Sequence, residues 1–138
     1  MKRDALDAVF SDCVREAADW TCARCSRVFP DRKGKDIHAS HFYSRSYNAT
    51  RWFPDNVSCL CAACHDHLGK HPDDHSDFIR GLLGPVRYGW LRERKARIYR
   101  YRDSDKRDMR KHYRDELERM TELRANGCIG PLQLVAYD

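Results

Sequence analysis

Two cysteine pairs constrain this chain more than anything else in it. Cys22-Ala-Arg-Cys25 and Cys61-Ala-Ala-Cys64 each place two thiols two residues apart. That spacing lets a tight turn present both sulfurs to adjacent corners of a tetrahedron, and two such turns close a Cys₄ zinc site. The remaining cysteines, Cys13, Cys59 and Cys128, have no comparable spacing. Cys59 lies two residues before Cys61, outside the knuckle pattern. A metal holding both pairs would bracket the segment 26–60 and force its ends together.

Such a staple suits the composition. Of 138 residues, 34% are charged and 41% hydrophobic, so the core is small. A bound metal adds folding energy that a small core lacks. The odd count of seven cysteines argues for a reducing compartment rather than a disulfide framework. The formal net charge of +5 favours an anionic partner.

The pattern of apolar residues places the elements. Leu6, Val9, Phe10, Cys13, Val14 and Ala17 recur at helical spacing, predicting an amphipathic helix from Asp4 to about Asp19. Asp36–Tyr43 and Arg51–Val57 are expected to form a short hairpin, punctuated by Asn48 and Pro54. A helix is expected from the second cysteine pair to about Gly69, and another short one through Phe78–Leu83. Gly84-Pro85 then reads as a boundary. From Trp90 to Arg124 there is neither glycine nor proline. This predicts one long basic helix, or two broken near Asp103-Ser104-Asp105, with Gly127 as a C-cap. Its stripe of Leu91, Ile98, Met109, Tyr113, Leu117, Met120 and Leu123 suits packing or a homodimer seam. The expected organisation is a zinc-bracketed domain over 1–84, a basic helical extension over 85–125 and a tail over 126–138. The tail reads as a short strand or as disordered.

Histidines form the second signal. Among seven in the chain are His38-Ala-Ser-His41 on the first expected strand and His65, His67, His71 and His75 after the second cysteine pair. Strand alternation puts residues 39 and 41 on one face, 38 and 40 on the other.

Taken together, these motifs resemble the HNH, or ββα-metal, endonucleases. The narrower likeness is to phage recombination nucleases of the lambda NinG (Rap) type. It is carried by Phe10-Ser-Asp-Cys-Val-Arg15, Cys22-x-x-Cys25, His38-Ala-Ser-His-Phe42, Arg51-Trp-Phe53, Asp55-Asn-Val57 and Cys61-x-x-Cys64-His65-x-His67-Leu68, and covers roughly residues 6 to 84. The resemblance implies an α+β fold, a zinc-stabilised ββα-metal core with an N-terminal helix and a basic helical region after it. It implies hydrolysis of DNA phosphodiester bonds, with branched recombination intermediates as candidate substrates. His41 would be the general base and Asn56 the residue that holds the loop and orients that base. His65 and His67 would be ligands of a catalytic Mg²⁺ or Mn²⁺, beside the structural Zn²⁺ on Cys22, Cys25, Cys61 and Cys64. Many HNH sequences carry an Asp or His just before the base. This chain has Ser40 there, and His38 is the nearest substitute ligand.

Arginine is the side chain best shaped to clamp a phosphate. Arg45 and Arg51 near the base, and Arg92, Arg94, Lys95 and Arg97 on the basic helix, are therefore the expected DNA contacts. Two other functions would use parts of the same pattern. A non-catalytic zinc-finger DNA-binding protein needs only the cysteines and the basic helix, and a structured-RNA nuclease would share the motif. A nuclease acting only beside a phage packaging partner is a third. No run is apolar enough to span a bilayer and the N-terminus lacks a signal-peptide core, so a cytoplasmic location is expected, in the bacterial host if the chain is phage-encoded.

Overall fold

The computed structural model describes residues 1–138 and is an α+β protein: five α-helices around one two-stranded antiparallel sheet. The order is α1 (Ala5–Ala17), β1 (Ile37–His41), α2 (Asn48–Arg51), a 3₁₀ turn (Pro54–Asn56), β2 (Val57–Cys61), α3 (Ala62–Lys70), α4 (Pro72–Lys95) and α5 (Asp103–Ala125). No helix is long and apolar enough to cross a membrane.

Helix α1 starts where its chemistry says it should. Asp4 caps it, accepting from the Asp7 backbone amide at 2.9 Å, while the Asp7 carboxylate accepts from the Asp4 amide at 2.8 Å. This reciprocal box satisfies two of the amides a helix start leaves without partners. The apolar face then buries Leu6, Phe10, Cys13 and Val14.

The second strand is displaced from its expected place. Arg51-Trp52-Phe53 does not extend; it ends α2 and enters the 3₁₀ turn begun by Pro54. The strand is Val57–Cys61, every residue of it buried, paired with β1 in the register Ile37–Cys61, Ala39–Cys59 and His41–Val57. A strand covered on both faces loses the polar alternation that marks a half-exposed one, and so reads ambiguously. Helix α3 follows β2 without a linker, so a hairpin and a helix form one continuous unit.

The expected boundary at Gly84-Pro85 is a kink instead. Gly84 has φ +78° within α4, a conformation glycine adopts without strain. It also precedes a proline, which disfavours helical backbone at that position. The second half of α4 packs back on the hairpin side: Arg87 pairs with Asp55, and Arg94 donates to the Ala49 carbonyl at 2.7 Å.

The region expected as a separate extension belongs to the core. Met109, Tyr113 and Met120 of α5 are buried in the same apolar cluster as Leu6, Phe10, Ile37 and Leu60. The Phe10 and Tyr113 rings meet edge to face, centroids 4.9 Å apart. The stripe read as a packing face or dimer seam is thus largely used within the chain, leaving Ile98 exposed. The break falls over residues 96–102, just before the acids at 103–105. Gly127, at φ +95°, follows the last turn of α5 as its sequence predicts.

The tail forms neither strand nor loose end. Residues 126–138 lie across α1 and α5: the Leu132 amide donates to the Ala17 carbonyl at 2.8 Å and the Val135 amide to Glu116 at 2.7 Å. Tyr113 joins three parts of this assembly. Its hydroxyl donates to the Trp52 carbonyl at 2.7 Å and accepts from the Tyr137 amide at 3.2 Å. Tyr113→Phe leaves the buried Trp52 carbonyl without its donor and is expected to cost about 1–3 kcal/mol. Urea unfolding of the two proteins measures it.

Candidate functional site

The two cysteine turns meet where β2 becomes α3. The sulfurs of Cys22, Cys25, Cys61 and Cys64 all lie within 4.8 Å of one another, so this cluster can hold a metal ion such as zinc. Zn–S bonds of about 2.3 Å set tetrahedral sulfurs ~3.8 Å apart, and Cys25 and Cys61 are separated by 3.8 Å. The Cys64 amide points at the Cys61 sulfur at 3.4 Å, and the Arg24 guanidinium lies 3.5 Å from Cys64. Such donors offset the negative charge four thiolates would bring. Cys59 is outside the cluster. It is buried in the apolar core instead.

The hairpin presents His41 at the end of β1. Its Nε2 lies 2.8 Å from the Arg51 carbonyl oxygen. A carbonyl only accepts, so Nε2 carries the proton and Nδ1 is left with a free lone pair. Burial lowers the pKa of His41, the Arg51 carbonyl works against that shift, and the Arg45 charge adds to it. The neutral ring therefore persists below the ordinary imidazole range.

Asn56 fixes the loop that supplies this carbonyl. It is fully buried; its Nδ2 donates to the carbonyls of Tyr43 and Thr50 at 3.0 and 3.1 Å, and its Oδ1 accepts from the Tyr43 amide at 2.8 Å. Both ends of the 43–50 loop are thereby tied to one side chain. Thr50 immediately precedes Arg51, so Asn56 acts on His41 through the backbone.

His65 comes from the first turns of α3. Its Nδ1 lies 2.9 Å from the Ser40 hydroxyl, and its ring centroid is 5.3 Å from that of His38. His38, His41 and His65 line one cleft of about 630 Å³ along the free edge of β1. Arg3, Arg15 and Arg45 line it too. Its one carboxylate, Asp7, already pairs with Arg51, and Arg15 pairs with Asp12 at 2.7 Å, which leaves Arg3 and Arg45 as its unpaired cations. A second opening of about 440 Å³ shares His41 and His65 and extends past Tyr43 and buried His75. A third, of about 490 Å³, adjoins at Tyr43 and is edged by Tyr47, Arg92, Lys95 and Arg97.

Several expected site residues fall elsewhere. His67 is on the far side of α3, because two helical residues are about 200° apart. It stacks on His71 at 4.2 Å and contacts Asp74 at 3.0 Å, away from the cleft. Arg51 is no free phosphate clamp. Its guanidinium is buried and doubly bonded to Asp7, with Nε to Oδ1 at 2.9 Å. Arg94 is likewise engaged, lying over the Phe53 ring at 4.0 Å and bonded to Ala49. Arg45 remains at the cleft, and Arg92 and Arg97 are exposed at the third opening. Lys95 sits between the Tyr43 and Tyr47 rings, at 5.0 and 4.6 Å.

Two residues at the cleft carried no isolated sequence signal. Asp7 is one acid among many in a helix, and Arg15 enters only as the last letter of the Phe10–Arg15 motif, with no role of its own. Arg15 is buried beneath the cleft, where a β-carbon on Gly34 would come within 3.1 Å of its guanidinium. The chain matches no protein-family model, no curated protein and no solved structure.

The cluster geometry discriminates between the neighbouring thiols of β2. Cys59→Ser is expected to retain one zinc per chain, whereas Cys61→Ser should lose it and unfold the hairpin region. Elemental analysis with circular dichroism on both variants checks this.

Proposed function

We propose that the chain is a metal-dependent endonuclease of the HNH type, hydrolysing phosphodiester bonds in DNA. The observation that carries this reading is the hydrogen bond from His41 to the Arg51 carbonyl. It leaves Nδ1 of a neutral, half-buried imidazole as a base in a cleft lined by arginines. The continuous hairpin–helix unit, with His41 on its first strand and His65 on its helix, supports the same assignment.

In this reading the scissile phosphate lies in the cleft against Arg45, whose guanidinium matches its oxygens. His41 accepts the proton of the attacking water at Nδ1, and the Arg51 carbonyl stabilises the imidazolium through Nε2–H. A divalent ion would be held by His65 and would supply charge neutralisation at the phosphate and leaving oxygen. Asp7 holds Arg51 and Asn56 holds Thr50, so the carbonyl that orients His41 is anchored from both sides. The basic and aromatic groups of the third opening would extend contact along the strand, through phosphate pairing and stacking. Branched DNA as the preferred substrate follows from the NinG likeness, and the Cys₄ zinc would serve structure alone.

The test is cleavage of supercoiled plasmid, linear duplex, single strand, four-way junction and structured RNA, with Mg²⁺ or Mn²⁺. His41→Ala is expected to lower the rate about 10²–10⁴-fold with zinc content unchanged. Nucleic-acid binding without cutting by the wild type would favour a zinc-finger binding module, and preferential RNA cutting a structured-RNA nuclease. The pH profile follows from the sign of the His41 shift. A base with a lowered pKa stays deprotonated further into acid, so the acidic limb of the rate should fall below 6.5, the ordinary histidine value. An acidic limb above that value would contradict the assignment.

A further inference from the structure

We propose that the loop joining α4 to α5 carries an apolar wedge, Ile98, which inserts between neighbouring bases of a nucleic acid lying along the third opening. The insertion needs only nucleic-acid binding; its use in choosing where the chain cuts rests on the nuclease reading above.

The loop is built to hold this side chain in water. Helical backbone bonds run on past α4, with the Arg97 amide donating to the Arg94 carbonyl at 3.0 Å, and Ile98 follows at once. On its other side the chain is pinned. Asn48 Nδ2 donates to the Tyr99 carbonyl at 3.1 Å, and the Tyr101 ring meets Trp52 edge to face with centroids 5.5 Å apart. Arg94, itself bonded to Ala49, lies 5.1 Å from the centre of the Tyr99 ring. Between these anchors Ile98 is 86% exposed. An aliphatic side chain on a loose loop would fold back onto the surface; the anchors keep this one out.

A single exposed isoleucine signifies nothing by itself. Its surroundings supply the second observation. Tyr47, Arg97 and Ile98 border both the third opening and a fourth of about 330 Å³, so Ile98 stands where the two meet. Arg92 and Lys95 edge the one, Arg100 the other. No carboxylate lines either, and Arg92, Arg97 and Arg100 are exposed. Cations around a protruding aliphatic tip fit a polyanion whose apolar parts are flat and stacked, which describes bases between phosphates. Tyr47, held against Lys95 at 4.6 Å, offers a ring on which an unstacked base can settle. The third opening meets the His41 openings at Tyr43, so a strand leaving the candidate catalytic cleft passes Ile98.

A wedge makes base stacking part of substrate choice. Opening a step costs least at flexible pyrimidine–purine steps and at mismatches. Preference then arises at a position where no base edge is read by a hydrogen bond.

Zinc-loaded full-length protein, with no Mg²⁺ or Mn²⁺ added, is titrated into short DNA duplexes carrying 2-aminopurine at successive positions. This base brightens when it is unstacked. A rise is expected at one or two positions, larger beside a mismatch. Ile98→Ala should abolish the rise and weaken binding about tenfold, with the salt dependence unchanged. Arg97→Gln and Arg100→Gln should each lower the salt slope by about one and keep the rise at saturation. Ile98 is exposed, so its replacement spares the fold, and far-UV circular dichroism with zinc content verifies this. An equal rise in wild type and Ile98→Ala, or no rise at any position, overturns the wedge. So does Ile98-dependent binding to phosphatidylserine–phosphatidylcholine vesicles without a 2-aminopurine response, which would make the loop a membrane contact. If the Ile98-dependent rise occurs yet Mg²⁺ and Mn²⁺ support no cutting, the wedge stands and the nuclease reading fails. If DNA is cut without any rise, the wedge fails and the nuclease reading stands.

Discussion

One carboxylate, that of Asp7, sets the geometry on which the cleft depends. It closes the capping box of α1, forms two bonds with the Arg51 guanidinium and accepts from the Trp52 indole at 2.9 Å. Burial would raise its pKa, but the Arg51 bonds and charge and the Asp4 amide outweigh it and hold the carboxyl at about 2. The sign of the linkage follows. This depressed value contributes stability fully present above the unfolded value of 3.8 and lost as pH falls toward 2. A buried pair of this kind is worth little against an apolar replacement, while removing one partner costs about 3–5 kcal/mol. Its role is therefore better described as fixing position than as adding stability. It decides where Arg51 sits, hence where the Arg51 carbonyl points, hence which nitrogen of His41 is free.

The sulfur cluster and this ion pair divide the work. A two-stranded hairpin is marginal by itself, and here each end is fastened differently. The Cys61 end, paired with Ile37, is tied to the 22–25 turn through thiols. The His41–Val57 end is tied to α1 and α5 through Asp7, Arg51 and Tyr113. Polar residues fill the edge between those fastenings. A small protein can place three histidines and three arginines around one cleft because buried polar bonds, and a thiol cluster able to hold a metal, fix positions that a small core would not.

Much of this was legible in the sequence, and the failures have physical causes. The cysteine spacing identified the four clustered thiols, because two-residue turns leave few alternatives. The periodicity of α1 was readable for the same kind of reason, an uninterrupted apolar stripe closed by a capping aspartate. The second strand was misplaced because Val57–Cys61 is buried on both faces and carries no alternation, while Arg51-Trp52-Phe53 mimics a strand. The HNH likeness puts His67 beside His65 as a ligand, yet on a helix two residues apart means opposite sides. Arg51 and Arg94 looked like free cations, since a sequence does not display the Asp7 carboxylate or the Ala49 carbonyl that engage them. Asn56 was assigned to the loop, and its three bonds now give that assignment a mechanism through Thr50.

The placement of the C-terminal region bears on how the chain reaches this state. Helix α1 lies against α5, and the Ala17 carbonyl accepts from the Leu132 amide, so α1 is completed by residues that follow every other element in sequence. During synthesis the 22–25 turn, hairpin and α3 would emerge long before their cover. Domains generally form as whole units as they leave the ribosome, and here the unit closes only when residues near 132 are available. Until then the Phe10 face of α1 has the hairpin on one side but lacks the Tyr113 ring that meets Phe10 edge to face. A nascent chain would therefore carry its four clustered cysteines assembled and its apolar face half covered, a state for which chaperone binding or early metal capture would matter most.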